Sequence, residues 1–208
     1  MKYKLLDLRP FLLAGYLLFM LSCGQEKTSD QNTINSTTTE VKKQVNPFPF
    51  YKDISVRPGL NFEVLSWGKG VDSLGGYLIL MSDSARNDFK SFSNERKGII
   101  TDAWNMDLDN DGNPELYIEL LNEQDQLDLN VFEYSRNSFQ KITFPGLSSR
   151  MKKNYAGKDK FTIKNGELYR SFPMVKPEDS TQKASVITLQ YKLSGNSFSV
   201  DEVEELND

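Results

Sequence analysis

Residues 160–172, Lys-Phe-Thr-Ile-Lys-Asn-Gly-Glu-Leu-Tyr-Arg-Ser-Phe, decide the fold class of this chain. Apolar and polar side chains alternate on both sides of Asn165-Gly166, as they do in two strands that each bury one face. Asn-Gly between two such runs favours a two-residue hairpin, because both residues adopt the positive φ that a type I′ turn requires. The segment therefore predicts an antiparallel β-hairpin.

The same pattern continues outward from this hairpin, where short runs rich in β-branched and aromatic residues are separated by Gly, Asn and Asp turn signals. A helix is predicted only at Ser84–Ser93, and the aromatic segment Asn46–Tyr51 is predicted to begin the fold. Many short strands at close spacing predict an all-β fold, a single compact antiparallel β-sandwich or barrel-like domain over residues 46–208. The predicted strands are Asn61–Trp67, Tyr77–Ser82, Gly98–Asn105, Glu115–Leu121, Leu127–Tyr134, Ser138–Phe144, Lys160–Lys164, Glu167–Phe172, Ser185–Leu193 and Ser197–Glu204.

Residues 1–22 have the features of a bacterial signal peptide. Lys2, Lys4 and Arg9 precede the uncharged apolar run Phe11–Leu21. This run is shorter than the roughly 20 residues that a transmembrane helix needs. A basic start followed by a short apolar core is typical of an export signal, so residues 1–22 are predicted to be removed from the mature protein.

The sequence around Cys23 indicates that the exported chain is attached to a membrane by lipid. Met20-Leu21-Ser22-Cys23 resembles a lipobox, in which a small residue precedes the lipid-modified cysteine. Residues 23–45 are rich in Ser, Thr, Asn and Gln and too poor in apolar residues to fold, so we expect a tether with an average reach of roughly 25 Å. The predicted location is the bacterial cell envelope, facing the periplasm or on the cell surface, with Cys23 as the lipid anchor.

The composition excludes several classes of enzyme and binding protein. The chain has no His, and Cys23 is its single Cys, which removes histidine-based catalysis, histidine-ligated zinc and disulfides. The net charge of −4 becomes more negative once the basic signal peptide is removed, which argues against nucleic-acid binding. We therefore expect a protein that is not an enzyme, with a carboxylate-based enzyme acting on glycans as a less favoured alternative.

The most specific local motif is the acidic loop, Asp107-Leu-Asp109-Asn-Asp111-Gly-Asn113-Pro-Glu115. Carboxylates at its first, third and fifth positions converge when the loop turns tightly at the glycine in the sixth position. Oxygen ligands of this kind suit Ca²⁺, and the flanking strands make the loop similar to the short calcium loops of β-hairpins rather than to an EF-hand. The loop is therefore predicted to be a structural Ca²⁺ site, with an acidic turn held by Asx-type hydrogen bonds and no metal as the alternative.

Several segments together resemble the periplasmic inhibitors of i-type lysozyme. They are Ser73–Tyr77, the acidic loop, Gly157–Asp179 and Leu189–Leu193, and the resemblance covers roughly residues 60–204. Its most specific part is an Asp-x-Phe run followed by Gly-x-Leu-x-Arg-x-Phe-Pro, here Asp159, Phe161, Gly166, Leu168, Arg170, Phe172 and Pro173. The resemblance implies a compact β domain that binds lysozyme and blocks its cleft. From the residues themselves, Arg170 is predicted to form a buried ion pair at a strand end.

The turn that follows Glu115–Leu121 is the expected partner-binding surface. Members of the lysozyme-inhibitor family present a Ser-Gly-x-x-Tyr-like loop there, whereas this chain has Asn-Glu-Gln-Asp-Gln-Leu, so the family's inhibitory residues do not carry over. The residues that occupy the turn are Asn122, Glu123, Gln124 and Asp125, and their acidic character would steer a basic lysozyme toward the surface. A solvated hairpin tip is the alternative interpretation of the turn, and a structural or adhesive calcium-stabilised lipoprotein with another partner is the alternative function.

Overall fold

The computed structural model describes residues 46–68, 75–175 and 185–203. The predicted signal peptide, the lipid anchor Cys23 and the tether lie outside the described residues, as does Glu204 at the end of the last predicted strand. Among the residues that are described, no helix is long and apolar enough to cross a membrane.

The described strands form three four-stranded antiparallel sheets, and in each sheet the strands follow one another in chain order. The strands of the first sheet are β1 Phe50–Arg57, β2 Leu60–Trp67, β3 Gly76–Asp83 and β4 Asp88–Glu95. Those of the middle sheet are β5 Ile99–Met106, β6 Glu115–Leu121, β7 Leu127–Ser135 and β8 Ser138–Ile142. Those of the third sheet are β9 Lys160–Lys164, β10 Glu167–Met174, β11 Ser185–Ser194 and β12 Ser197–Val203. One short helix, α1 Ser149–Lys152, lies between β8 and β9.

Two hydrophobic cores connect these sheets, and the middle sheet contributes to both. On β6, Leu116 and Ile118 pack with the first sheet, whereas Tyr117 packs with the third. Successive residues of a strand point to opposite faces, so a strand that is covered on both sides is apolar throughout rather than alternating. The all-β antiparallel prediction is confirmed, and within the described residues the sheets are layered and form no closed barrel.

The hairpin predicted around Asn165-Gly166 is present as β9 and β10. Lys164 and Glu167 are opposite each other across the β9–β10 turn, and Asn165 and Gly166 have φ values of 53° and 79°. Both values lie in the left-handed region that a type I′ turn needs. The prediction from local sequence is therefore confirmed at this hairpin.

The predicted helix Ser84–Ser93 is wrong. A turn at residues 84–87 leads instead into the edge strand β4, which pairs with β3. The amide of Arg86 donates to Asp83 Oδ1 at 3.0 Å, and Asn87 adopts a φ of 51°, both of which favour a turn. Phe92 then packs against the core between the first and middle sheets, and this tertiary contact outweighs the weak local helix pattern.

The acidic loop and the β6–β7 turn lie at opposite ends of the middle sheet. The acidic loop connects β5 to β6, and the β6–β7 turn, residues 122–126, follows β6. Because neighbouring strands run in opposite directions, consecutive connections alternate between the two ends of a sheet. The two sites predicted from the sequence are therefore separated by the length of β6.

Candidate functional site

The carboxylates of the acidic loop converge as the sequence predicts. One oxygen from each of Asp107, Asp109, Asp111 and Glu115 lies within 4.8 Å of the others. Backbone amides fold the loop around them, since Gly112 N donates to Asp107 Oδ2 at 3.0 Å and Asp111 N donates to Asp109 Oδ1 at 3.3 Å. These oxygens are of the type that a hard cation prefers, and four of them would supply part of the roughly six to eight ligands that Ca²⁺ takes.

Asn113 joins this group through hydrogen bonds to Asp111. Its amide N donates to Asp111 Oδ1 at 2.8 Å, and its side-chain Nδ2 donates to Asp111 Oδ2 at 2.9 Å. The Asx-type bonds of the metal-free alternative are therefore present as well. These hydrogen bonds orient Asp111 and do not involve Glu115, which is the first residue of β6.

Glu115 is the buried member of the group. Its side chain is inaccessible to solvent, Oε2 accepts a hydrogen bond from Leu108 N at 2.8 Å, and Oε1 has no hydrogen-bond partner among the described residues. Burial raises the pKa of Glu115 to about 8, and the charges of Asp109, Asp107 and Asp111 add to the increase. A buried carboxylate oxygen without a partner is costly, and a cation in the loop would remove that cost.

The buried Tyr117 and the partly buried Trp104 lie in the core between the middle and third sheets, and Tyr117 is close to Glu115. The rings of Trp104 and Tyr117 are stacked, with centroids 5.7 Å apart and an interplanar angle of 1°. Neither Trp104 Nε1 nor the Tyr117 hydroxyl finds a partner in the part of the chain that the structure describes. Burial, followed by the charge of Glu115, raises the pKa of Tyr117, so the hydroxyl stays protonated beside the carboxylate.

The β6–β7 turn holds the four residues predicted to contact a partner. Glu123, Gln124 and Asp125 are exposed, whereas Asn122 is half-buried at the base of the turn. Asn122 Oδ1 accepts hydrogen bonds from the amides of Gln124 at 2.9 Å and Gln126 at 3.0 Å. The tip is therefore exposed, but its backbone is held in one conformation.

A buried ion pair connects the β6–β7 turn to the third sheet. Arg170 Nε donates to Asp159 Oδ1 at 2.8 Å, with 5% of the arginine side chain and 0% of the aspartate side chain exposed. The same two side chains hold the backbone of Leu127, because Leu127 N donates to Asp159 Oδ2 at 3.0 Å and Arg170 Nη2 donates to Leu127 O at 2.9 Å. The predicted buried ion pair of Arg170 is confirmed.

The motif that carries the family resemblance has a structural role in this fold. The Arg170 guanidinium lies 5.4 Å from the ring centre of Phe161 and 5.9 Å from that of Phe172. Asp159 therefore contacts Arg170 from the segment before β9, and Phe161 contacts it from β9. Phe172 contacts it from β10, the strand to which Arg170 itself belongs. The ion pair of Arg170 was predicted from the sequence, but its support of the turn was not, because that support depends on contacts between residues 43 positions apart.

A recess of about 400 Å³ adjoins the β6–β7 turn. Its polar lining residues are Asn122, Gln126, Asp128, Lys152, Tyr155 and Arg170. Glu115 lines neither this recess nor the cavity of about 280 Å³ between Phe50 and Ile100. A general acid must reach its substrate, whereas the side chain of Glu115 is fully buried, and this burial explains its raised pKa.

The chain was also compared with known proteins. No protein-family model matches it, and no curated protein is significantly similar to it. The resemblance to lysozyme inhibitors therefore stays a prediction from the residues quoted above.

The raised pKa of Glu115 predicts how stability depends on pH without divalent cations. The folded protein holds a proton on Glu115 up to a pKa of about 8, whereas the unfolded chain releases it near the ordinary value of 4.5. Between these two values the folded state binds more protons, so the free energy of unfolding should fall as pH rises. We expect wild-type protein in chelator to lose on the order of 3 kcal/mol between pH 5 and pH 8 relative to Glu115→Gln, measured by urea denaturation. Parallel pH profiles for the two proteins would contradict the prediction.

Proposed function

We propose that this chain is a lipoprotein of the bacterial cell envelope, anchored at Cys23, whose β domain binds a basic protein of the lysozyme type and is not an enzyme. The observation that carries the proposal is the β6–β7 turn, an exposed acidic tip on a fixed backbone. The lipid anchor and the tether follow from the sequence, and the turn supplies the surface that a partner would contact.

The fixed backbone favours binding because little conformational entropy remains to be lost when a partner docks. Asn122 braces the turn from inside, the Asp159–Arg170 pair holds Leu127, and Lys158 N donates to Asp125 O at 3.0 Å. A flexible hairpin tip would lack these connections to a second sheet. The geometry therefore favours a recognition element over the solvated-tip alternative.

The charge of the tip indicates the kind of partner. Glu123 and Asp125 are exposed side by side with Gln124, on a chain that is acidic overall. A negative surface speeds the encounter with a positively charged protein and discriminates against acidic ones. The neighbouring recess would receive a side chain of the partner, which Lys152 and Asp128 at its edge would contact.

A second candidate function is favoured by Glu115. The buried oxygen without a partner among the described residues supports a structural Ca²⁺ in the acidic loop, held by Asp107, Asp109, Asp111 and Glu115 with Asn113 orienting Asp111. A calcium-stabilised structural or adhesive lipoprotein would use such a site as well. The two candidate functions differ in their partner, so lysozyme binding decides between them.

The test is a titration of the mature protein into i-type, c-type and g-type lysozymes, with lysis and direct binding measured in parallel. We expect the double variant Glu123→Gln/Asp125→Asn to bind more weakly than the wild type to the lysozyme class that the wild type inhibits. The loss should be about three- to tenfold at low salt, mainly through a slower association rate. Asn tolerates the left-handed φ of 57° that Asp125 adopts, so the variant should keep the turn intact.

The matched control is Asp53→Asn/Glu95→Gln, which removes two exposed charges from the first sheet instead. Equal losses of binding in both variants would show that overall charge, and not the turn, attracts the partner. If none of the three lysozyme classes binds the wild-type protein, the lysozyme proposal is wrong and the structural or adhesive candidate takes its place.

A further inference from the structure

The acidic loop of the middle sheet contacts the third sheet at one point outside the hydrophobic core. Asp109 Oδ2 accepts a hydrogen bond from Gly195 N at 2.9 Å, across 86 positions of the chain. Gly195 lies in the turn between β11 and β12. Asp109 therefore belongs both to the carboxylate group that would hold a cation and to a contact with the outer hairpin of the third sheet.

The β11–β12 hairpin needs such a contact because its outer strand is weakly packed. Most residues of β12 are exposed, and Phe198 is the β12 side chain that packs against the core. The ion pairs of β12 are at the surface, between Lys192 and Asp201 and between Arg150 and Glu202, and exposed pairs of this kind contribute little to stability. An edge strand with few buried contacts opens locally more often than the sheet interior.

The presence of a ligand in the acidic loop is supported by more than the number of its carboxylates. Glu115 is completely buried, contributes one oxygen to the group, and leaves Oε1 without a hydrogen-bond partner among the described residues. Burying the ionised form of Glu115 in a turn stabilised only by its own amides costs free energy, because Oε1 has no partner among the described residues. A divalent cation would supply the missing partner.

We propose that a divalent cation in the acidic loop locks the β11–β12 hairpin against the middle sheet through Asp109. The inference rests on the proposed Ca²⁺ site and adds a consequence of its occupancy. One oxygen of Asp109 would bind the cation while Oδ2 stays on Gly195 N. Cation binding and hairpin docking then favour each other, and the coupling is reciprocal.

Electrostatics explain why the empty loop would release the hairpin. Without a cation, the carboxylates of Asp107, Asp109 and Asp111 repel one another at short range. Asp109 would relieve that repulsion by moving away from the group, and such a movement would weaken its bond to Gly195 N. A cation reverses the balance by attracting all of the carboxylates to one point.

The test is amide hydrogen exchange of the mature protein that begins at Cys23, with calorimetry of Ca²⁺ binding on the same sample. We expect Ca²⁺ to slow exchange at the β11–β12 turn by about tenfold, most clearly at Gly195 N. The turn at residues 84–87 joins β3 to β4 in the first sheet and has no contact of this kind with the acidic loop in the described structure, so its exchange should not change.

The deciding variant is Asp109→Asn. Its side chain keeps one acceptor oxygen, and the NH2 group that replaces the second oxygen cannot accept the hydrogen of Gly195 N once the remaining oxygen is on the cation, so we expect weakened Ca²⁺ binding without slower exchange at the hairpin. Asp111→Ala removes a ligand that has no contact with Gly195 and should lose Ca²⁺ binding and slower exchange together. Ca²⁺ binding by the wild type with unchanged exchange at the hairpin would overturn the lock alone, whereas absence of Ca²⁺ binding in calorimetry would overturn the cation site as well.

Discussion

Replacing Arg170 with leucine is expected to lower the free energy of unfolding by about 3–5 kcal/mol, the cost of leaving a buried charge without its partner. The side chain of Asp159 is fully buried and would lose the guanidinium that neutralises it. The Leu127 carbonyl would lose its bond to Arg170 Nη2, and the rings of Phe161 and Phe172 would lose the cation between them. Urea denaturation of the wild type and the variant measures the difference.

The control for this prediction is Lys192→Gln, which breaks the ion pair with Asp201 at the surface. Both side chains of this pair are more than half exposed, so we expect the free energy of unfolding to fall by no more than about 1 kcal/mol. A loss in Arg170→Leu as small as that of the control would show that the pair does not hold the third sheet to the β6–β7 turn. The variant should also weaken partner binding, because Leu127 anchors one end of the turn.

The second large effect concerns Ca²⁺. At a free concentration 100 times the dissociation constant, Ca²⁺ should raise the free energy of unfolding by about 2.7 kcal/mol, because it binds the folded acidic loop and not the unfolded chain. Thermal unfolding in Ca²⁺ and in chelator measures the increase. Mg²⁺ should stabilise less, since it demands a stricter octahedral geometry and gives up its water reluctantly.

Two glutamates on β6 provide the matched variants for the Ca²⁺ measurement. Glu115→Gln removes the buried charge that faces the acidic loop, so most of the Ca²⁺ effect should disappear. Glu119→Gln changes a residue of the same strand that accepts a hydrogen bond from Thr101 and lies outside the loop, so it should respond to Ca²⁺ like the wild type. An unchanged unfolding temperature of the wild type in saturating Ca²⁺ would refute the site.

The sequence predicted the strands well where both signals, alternation and turn residues, were present. β6 and β9 have the predicted bounds, and most other predicted strands differ from the observed ones by one or two residues at an end. β1 was anticipated only as an aromatic start of the fold, because apart from the buried Ile54 its side chains alternate between exposed and half-buried and the strand lies at an edge. β4 was mistaken for a helix for a related reason, since few of its residues enter the core.

The local features of this protein were predictable from its sequence. The all-β class, the Asn165-Gly166 hairpin and the convergence of Asp107, Asp109 and Asp111 all depend on residues that are neighbours in the chain, so spacing and turn chemistry are enough to predict them. Tertiary structure alone decided that the middle sheet is covered on both faces and that Glu115 is buried without a partner for Oε1 among the described residues. It also decided that Asp159 and Arg170 hold the β6–β7 turn and that Asp109 reaches Gly195. These contacts join distant segments, and they exist because stacking three sheets is the way this chain buries both faces of its central strands.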